Sequence, residues 1–414
     1  MLSRIIRSSS RTAGSVPNKY PGSPTAKETH SLTFFSDKNT EAIPIYTTMD
    51  EKNHFIPRDN PNLDNETLLK WYRDMTLLRS FDRKLEATQR VGQNSFYMTC
   101  RGEEAITIAA EAALSIEDIC YTQYREHGLF VARGVPIKEM VSQVMAKAGS
   151  HAEGKQMPVH YGSKKFNLPT VSSPLGTQLP QAVGHAYAFK QSSNKDRCVT
   201  VWFGDGSASE GDAFAALNFA SVLECPVIFM CRNNGFAIST PVDEQYRGDG
   251  IAARGIALGM DVIRVNGNDI FAVYNAVRQA RRISVEESRP VLVEYMTYRA
   301  GNHSTSDDSS AYRQRSEIDY FMDNYDPIQK FETYLRSQNL WDSEKSSAWN
   351  TSLNKEITSI VEEVTGLKKP CPTTLFDDVY DELTPALEDQ KKQLLEHLEK
   401  YGEHYNLSDY DKKY

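Results

Sequence analysis

With 414 residues, 40% of them hydrophobic and 25% charged, the chain has the balance of a globular protein and room for one large core or two domains, which excludes wholesale disorder. A formal net charge of −8 offers no global attraction to nucleic acid or anionic lipid, so neither is expected as a partner. No apolar run approaches the ~20 residues of a membrane span, and Cys100, Cys120, Cys198, Cys225, Cys231 and Cys371 form no CxxC pair and no zinc spacing with histidine, which predicts reduced, mostly buried thiols.

Residues 1–27 carry Arg4, Arg7, Arg11 and Lys19 among many serines, and the first acidic residue is Glu28. Such a composition, without a continuous apolar centre, predicts a mitochondrial transit peptide and hence a matrix protein; a basic tail is the bland alternative. Residues 28–61 hold Pro44, Pro57 and Pro61 and show no sustained period, which predicts an extended arm that wraps a neighbour or stays loose. From Leu63 to Val91 the residues Leu68, Leu69, Tyr72, Met75, Leu78, Phe81 and Leu85 recur at three and four, the spacing of an amphipathic helix. A second helix is expected from Gly102 through Leu114, and a third over 137–147, opened by Pro136.

Strands and helices then alternate. Strands are expected at 197–203, 226–232, 261–265 and 290–298, with helices over 207–223 and 269–283 between them. Strand, crossover helix and strand in repetition imply an α/β fold, a mostly parallel sheet flanked by helices, with right-handed crossovers. That domain is expected over 62–326, and beyond Asp326 only helices are read, giving a helical C-terminal region over 327–414.

Parallel strands place their C-terminal ends on one edge of the sheet, where ligands bind. Gly204, Asp205 and Gly206 should therefore meet Asn233 and Asn234 in space. Glycines let the backbone approach a phosphate, and a helix following at once would add amide donors. A nicotinamide fold is the rival, but Ser209 stands where its third glycine belongs, and Arg232, Asn233, Asn234 and Gly235 stand where its ribose-binding acid belongs. A magnesium diphosphate accounts for the same residues better, because Mg²⁺ takes oxygen ligands, one or two of them from protein. Asp205 offers a carboxylate and Asn234 an amide oxygen.

This spacing, together with SFYMTCRGEEA, YTQYREHG, MPVHYGS, SSPLGTQLPQAVG, SEGD, ECPVIFMCRNNGFAISTP, QYRGDGIAARG and HSTSDDSSAYR, resembles the alpha subunits of thiamine-diphosphate-dependent branched-chain 2-oxoacid dehydrogenases. Pyruvate dehydrogenase alpha subunits, the alternative, share the cofactor motif but differ in the SEGD and HSTSDD stretches. The resemblance implies that Asp205 and Asn234 bind Mg²⁺ by side chain and Phe236, where the family often has Tyr, by its carbonyl. It places Gln123, Tyr124, Arg125, Gly204, Gly206 and Arg232 around the diphosphate, Ser173 and Leu175 against the pocket, and Ser173 and His303 nearest the chemistry. Ser172, Pro174, Thr177 and Gln178 match a K⁺ site, and Asn302 replaces the first of two histidines. The bland reading of Tyr124 and Arg125 is a surface pair with Glu126.

The cofactor carries the decarboxylation chemistry while the protein orients it and excludes water. No convincing glutamate is found to activate its aminopyrimidine: Glu103, Glu104 and Glu210 read as solvated or capping residues. The resemblance puts that glutamate on a beta subunit, which implies a heterotetramer of two alpha and two beta subunits with shared active sites. It further implies a branched-chain 2-oxoacid substrate, a dihydrolipoyl transacylase core that accepts the acyl group, and a kinase and phosphatase acting at Ser304, a second phosphosite being replaced by Gln314. The polar loop 302–316 has no apolar anchor between His303 and Tyr312 and should order only with cofactor bound, and Tyr401, Tyr405, Tyr410 and Tyr414 predict a partner-binding C-terminus. The reading of another class is a relative that binds the magnesium diphosphate for assembly only; intact Asp205, Asn234, Arg125 and His303 weigh against it.

Overall fold

The computed structural model describes residues 29–36, 41–50, 54–56, 59–192 and 195–411; the expected transit segment lies outside them. Residues up to Glu41 form a unit of their own, of which 29–36 hold no helix or strand and expose Leu32, Phe34 and Phe35. The second unit, Ala42–Tyr414, carries the strands β1 (Ile45–Tyr46), β2 (Ile119–Tyr121), β3 (Val199–Gly204), β4 (Val227–Asn233), β5 (Phe236–Ala237), β6 (Thr240–Pro241), β7 (Asp261–Asn266) and β8 (Val291–Met296). Its helices are α1 (Asn65–Arg90), α2 (Glu104–Ala112), α3 (His127–Ala132), α4 (Ile137–Val144), α5 (Gln178–Gln191), α6 (Gly211–Val222), α7 (Val242–Gln245), α8 (Ala252–Ala257), α9 (Ile270–Glu287), α10 (Arg315–Tyr325), α11 (Pro327–Ser337), α12 (Ser343–Thr365) and α13 (Pro385–Tyr401).

Six strands make one sheet in the order β1-β7-β8-β4-β3-β2, and every pairing in it is parallel. Each residue of β3 and β4 is buried, which requires the continuous apolar runs of a sheet covered on both faces. The pleat divides them: Val199, Val201 and Phe203 join one core cluster with residues of α5 and α6, whereas Trp202 joins the other with residues of α1, α2, α9 and α12. Trp202 stacks on Tyr295 of β8, ring centroids 6.0 Å apart and planes 11° from parallel. Leu353, Ile357, Val361 and Val364 of α12 share the core of α1. All six cysteines are buried and outside any disulfide, as expected, and among the described residues no helix is long and apolar enough to cross a membrane.

Two expectations are corrected. Within the expected arm, Ile45 and Tyr46 are the edge strand of the sheet, in register with Arg264 and Val265. Buried Asp269, which caps α9 through Ala272 N, fixes them by also accepting from Thr48 N (2.6 Å), Met49 N (3.0 Å) and the hydroxyls of Thr47 (2.9 Å) and Thr48 (2.8 Å). Second, no α-helix follows Gly206 at once: a 3-10 turn over Ser207–Ser209 and an extended Glu210 intervene, and α6 begins at Gly211.

Candidate active site

Gly204 at the end of β3 lies in register with Arg232 of β4, so Asp205 and Asn234 leave the sheet side by side at its C-terminal edge. Both are buried, Asp205 to 1% exposure. Its carboxylate accepts from Gln245 Nε2 (3.0 Å), and burial pushes its pKa up despite that bond. The Asn234 amide is oriented: Nδ2 donates to Glu103 Oε1 (2.7 Å) and Oδ1 accepts from Phe236 N (3.2 Å). Asp205, Asn234 and Phe236 line a cavity of about 190 Å³ with Gln123, Tyr124, Arg125, Leu175, Gly204, Gly206, Ser207, Arg232, Arg299 and His303. Asp205 and Asn234 present oxygen donors, the type a hard divalent cation takes, and a buried carboxylate partnered by an amide rather than a cation leaves charge for such an ion to neutralise. The residues present therefore fit the ion.

An anion fits the same cavity. Ser207 Oγ is buried and has no hydrogen-bond partner among the described residues. Gly206 approaches Ala237 so closely that a Cβ there would stand 2.6 Å from that side chain, whereas one at Gly204 would meet nothing within 3.7 Å: its nearest neighbours are at 3.8 and 3.9 Å. Arg125, 2% exposed, is no surface partner of Glu126. Its Nη1 donates to Thr99 O and its Nη2 to His303 O (2.9 Å), with the guanidinium 5.5 Å from the Tyr124 ring. Arg299 donates to Ile238 O and to the Tyr312 hydroxyl, both at 2.7 Å. These hydrogen bonds go to carbonyl and phenol oxygens, so the positive charge is retained for a ligand.

Arg232 differs. It lines the same cavity, but its guanidinium is met by Glu126 (2.7 Å) and Glu103 (3.3 Å), while Glu126 Oε2 also accepts from Gln123 N (3.0 Å) and Gln123 Oε1 accepts from Gly204 N (3.2 Å). The reading of Glu103 and Glu104 as solvated residues is thereby overturned, although Glu103 stands at the N-cap of α2 and Glu104 Oε2 accepts from Gly102 N (3.0 Å). Both are buried, Glu103 makes no cap bond, and Glu104 pairs with Arg79 at 2.7 Å. Nothing in the local sequence signals the burial of Glu103, whose partner Asn234 lies 131 positions away.

His303 sits edge-on to Tyr124, centroids 5.9 Å apart. Burial first, then Arg125 and Arg299, push its pKa down to about 3, so the ring is neutral. Its Nδ1 faces two guanidinium donors, Arg125 Nη2 at 3.4 Å and Arg299 Nη1 at 3.5 Å, which keeps the lone pair on Nδ1 and the proton on Nε2. The loop beyond it is held although it has no apolar anchor. Asp307 accepts from His303 N and from the Tyr312 hydroxyl (both 2.7 Å), Asn302 Oδ1 accepts from the Ser309 hydroxyl (2.7 Å), and Arg313 donates to Arg299 O and Gly301 O. These polar bonds hold the loop in place, and Ser304 is only 8% exposed.

Ser173 lies outside the cavity lining; it is exposed and its hydroxyl donates to His160 Nε2 (2.8 Å), the other ring nitrogen facing Pro158 O (2.9 Å). Thr177 Oγ1 bonds Ser172 Oγ (3.0 Å) and Pro174 O (3.2 Å), closing the loop. Gln178 is buried, donates to Trp202 O (3.0 Å) and leaves Oε1 without a hydrogen-bond partner among the described residues.

A parallel sheet that gathers oriented oxygens, buried guanidiniums and a neutral histidine at its carboxyl edge defines an α/β protein of the kind that holds an anionic cofactor there. The family model described as dehydrogenase E1 component matches residues 72–373. The mitochondrial 2-oxoisovalerate dehydrogenase subunit alpha of Mus musculus is 49% identical over 95% of this chain and 89% of its own length, and that of Homo sapiens is 48% identical over 95% and 88%. Subunit alpha 1 of Arabidopsis thaliana is 42% identical over 91% and 80%. The chain belongs to the dehydrogenase E1 component family.

Proposed function

We propose that this chain is the alpha subunit of a mitochondrial 2-oxoacid dehydrogenase that acts on branched-chain 2-oxoacids and shares its active site with a beta subunit. What carries the reading is the meeting of Asp205, Asn234, Arg125 and His303 in one cavity of a chain from this family. Asp205, Asn234 and the Phe236 carbonyl would hold Mg²⁺, and Arg125, Tyr124, Gln123 and Ser207 would hold the diphosphate of thiamine diphosphate. Once bound, that cofactor would supply the nucleophilic carbon that decarboxylation and acyl transfer to the lipoyl group of a transacylase require. Glu103 and Glu126 neutralise Arg232 and in turn bond Asn234 and Gln123, so Arg232 acts through them by holding those two residues in place. His303 presents a neutral ring whose Nε2 proton is available as a donor. Leu175 closes the apolar side.

Ser172, Pro174, Thr177 and Gln178 would hold K⁺; the orphaned Gln178 Oε1 supports this, since a buried acceptor without a partner is costly unless a cation meets it. Ser173, bonded to His160, would then shape the pocket through the loop that this ion stiffens. Residues 1–27 are assigned as transit peptide for the matrix, 62–326 as the cofactor-binding domain, 327–414 as the helical C-terminal region, and Ser304 as the target of a kinase and phosphatase.

Coexpression with a beta chain tests the assignment. Copurification, and decarboxylation of branched-chain 2-oxoacids in preference to pyruvate with dependence on thiamine diphosphate and Mg²⁺, are expected. Equal kcat/KM for pyruvate would overturn the substrate class, and failure to copurify would overturn the subunit reading.

A further inference from the structure

The loop that carries His303 is seated on a strip of chain, 97–101, that supplies none of the site residues above. Tyr97 N donates to Thr305 Oγ1 (3.0 Å), Thr305 N donates back to Tyr97 O (2.9 Å), and Ala300 N donates to Arg101 O (3.0 Å). Arg125 spans both pieces, with Nη1 on Thr99 O and Nη2 on His303 O. The approach is close: a Cβ on Gly301 would stand 2.6 Å from Thr99 Oγ1. Residues 97–100 belong to no helix or strand, so no regular ladder stiffens them.

One carboxylate does. Asp82 of α1, 2% exposed, accepts from the Tyr97 hydroxyl (2.8 Å) and His127 Nε2 (2.7 Å) on Oδ1, and from Cys100 N (2.7 Å) and Cys100 Sγ (3.3 Å) on Oδ2. Burial pushes the pKa values of Tyr97 and Cys100 well up, so both remain protonated donors. His127 opens α3, directly after Arg125 and Glu126. Asp82, Cys100 and His127 are by type a metal triad, but both carboxylate oxygens are already taken by donors, and the cluster acts as a hydrogen-bond hub.

We propose that Asp82 is a positioning residue of the active site: by fixing Tyr97 and Cys100 from one side and His127 from the other, it sets the strip against which Thr305 and Arg125 hold the His303 loop. The inference rests on the assignment of His303 and Arg125 to the cofactor site, but the test reads the loop itself.

The experiment follows amide hydrogen exchange of the segment 301–313 in the assembled alpha–beta complex without added cofactor, in wild type, Asp82→Asn, Tyr97→Phe and Thr305→Val. Losing a hydrogen bond to a charged or buried partner shifts a local opening equilibrium on the order of tenfold. The segment should exchange about tenfold faster in Asp82→Asn and Thr305→Val, with excess thiamine diphosphate restoring protection at about tenfold higher concentration than in wild type. Thr305→Val leaves α1 untouched and should unfold at the wild-type temperature. Wild-type exchange of 301–313 in Asp82→Asn, even with a lowered Tm, would show a merely structural role and overturn the proposal, as would wild-type exchange in Thr305→Val. Should Asp82→Asn fail to assemble, Tyr97→Phe and Thr305→Val decide. A wild-type complex that binds no thiamine diphosphate would instead defeat the assignment of function, while the exchange rates still decide the role of Asp82.

Discussion

At the scale of single residues, burial and nearby charge set protonation, and both are measurable at His303. Its folded pKa of about 3 lies below the ordinary ~6.5, so between those values the unfolded chain binds the extra proton. The contribution of this ring to stability is full above about pH 6.5 and is lost as pH falls toward the folded value, by at most ~1.4 kcal/mol per pH unit and less for a partly exposed ring. An NMR titration should find the His303 ring neutral at pH 5, and the acid-induced drop in Tm between pH 6.5 and 5 should be smaller in His303→Gln; a ring that protonates near pH 6.5 would contradict the burial argument. Asp205→Ala and Asn234→Ala belong to the same scale. Each removes an oxygen from a hard-ion site that water replaces poorly, so calorimetry should show Mg²⁺-dependent cofactor binding abolished with the fold retained, and wild-type affinity in either variant would remove the metal assignment.

Among the elements, the loop 302–313 is where polar bonding stands in for packing. Ser304 Oγ accepts from Ser306 N (3.2 Å) and the side chain is nearly covered, so a kinase can reach it only when the loop opens. A phosphate there adds about −1.5 to −2 charges, beside an Asp307 whose pKa is held low despite its burial by bonds from Tyr312 and His303. Two anions would then compete for the donors that Asp307 now uses, and Asp307 would lose its hold on His303 N. Ser304→Glu, reconstituted with the beta subunit, should lose most activity and expose the loop to limited proteolysis. Full activity with a loop as protected as wild type would show that charge at this position does not control the site.

For the molecule as a whole, the C-terminal segment up to Asp411 is tied to its own chain. Lys369 N donates to Asp409 O and Asp411 N to Lys369 O (both 2.8 Å), and His397 Nε2 bonds the Tyr405 hydroxyl (2.8 Å). The fold-back borders an open cleft of about 750 Å³, lined by Leu394, Leu398, Leu407 and Tyr410, and leaves Tyr401 and Tyr405 exposed. On α6, Phe214, Phe219 and Val222 are exposed as well, more apolar surface than a solvated helix requires. Deleting residues 401–414 should therefore weaken assembly with the beta subunit, measured as dissociation on dilution in analytical ultracentrifugation, whereas a truncated chain that holds the full complex at the same dilution would refute this.

The sequence by itself determined what depends on near neighbours. The apolar periods of α1 and α9, the buried runs of β3 and β4, and the facing of Asp205 and Asn234 at their ends all follow from side-chain spacing and from the geometry of parallel strands. The edge strand β1 was not legible, because two residues show no period and the chain just after them is anchored by Asp269, 221 positions from Thr48. Nor were Glu103 and Glu126, whose bonds to Asn234 and Arg232 span 131 and 106 positions, nor the seating of Thr305 on Tyr97 across 208. A glutamate next to an alanine-rich helix reads the same whether it is solvated or buried. Only the tertiary structure decides which, since the energy of a buried charge depends on the donors that the fold brings to it and not on its place along the chain.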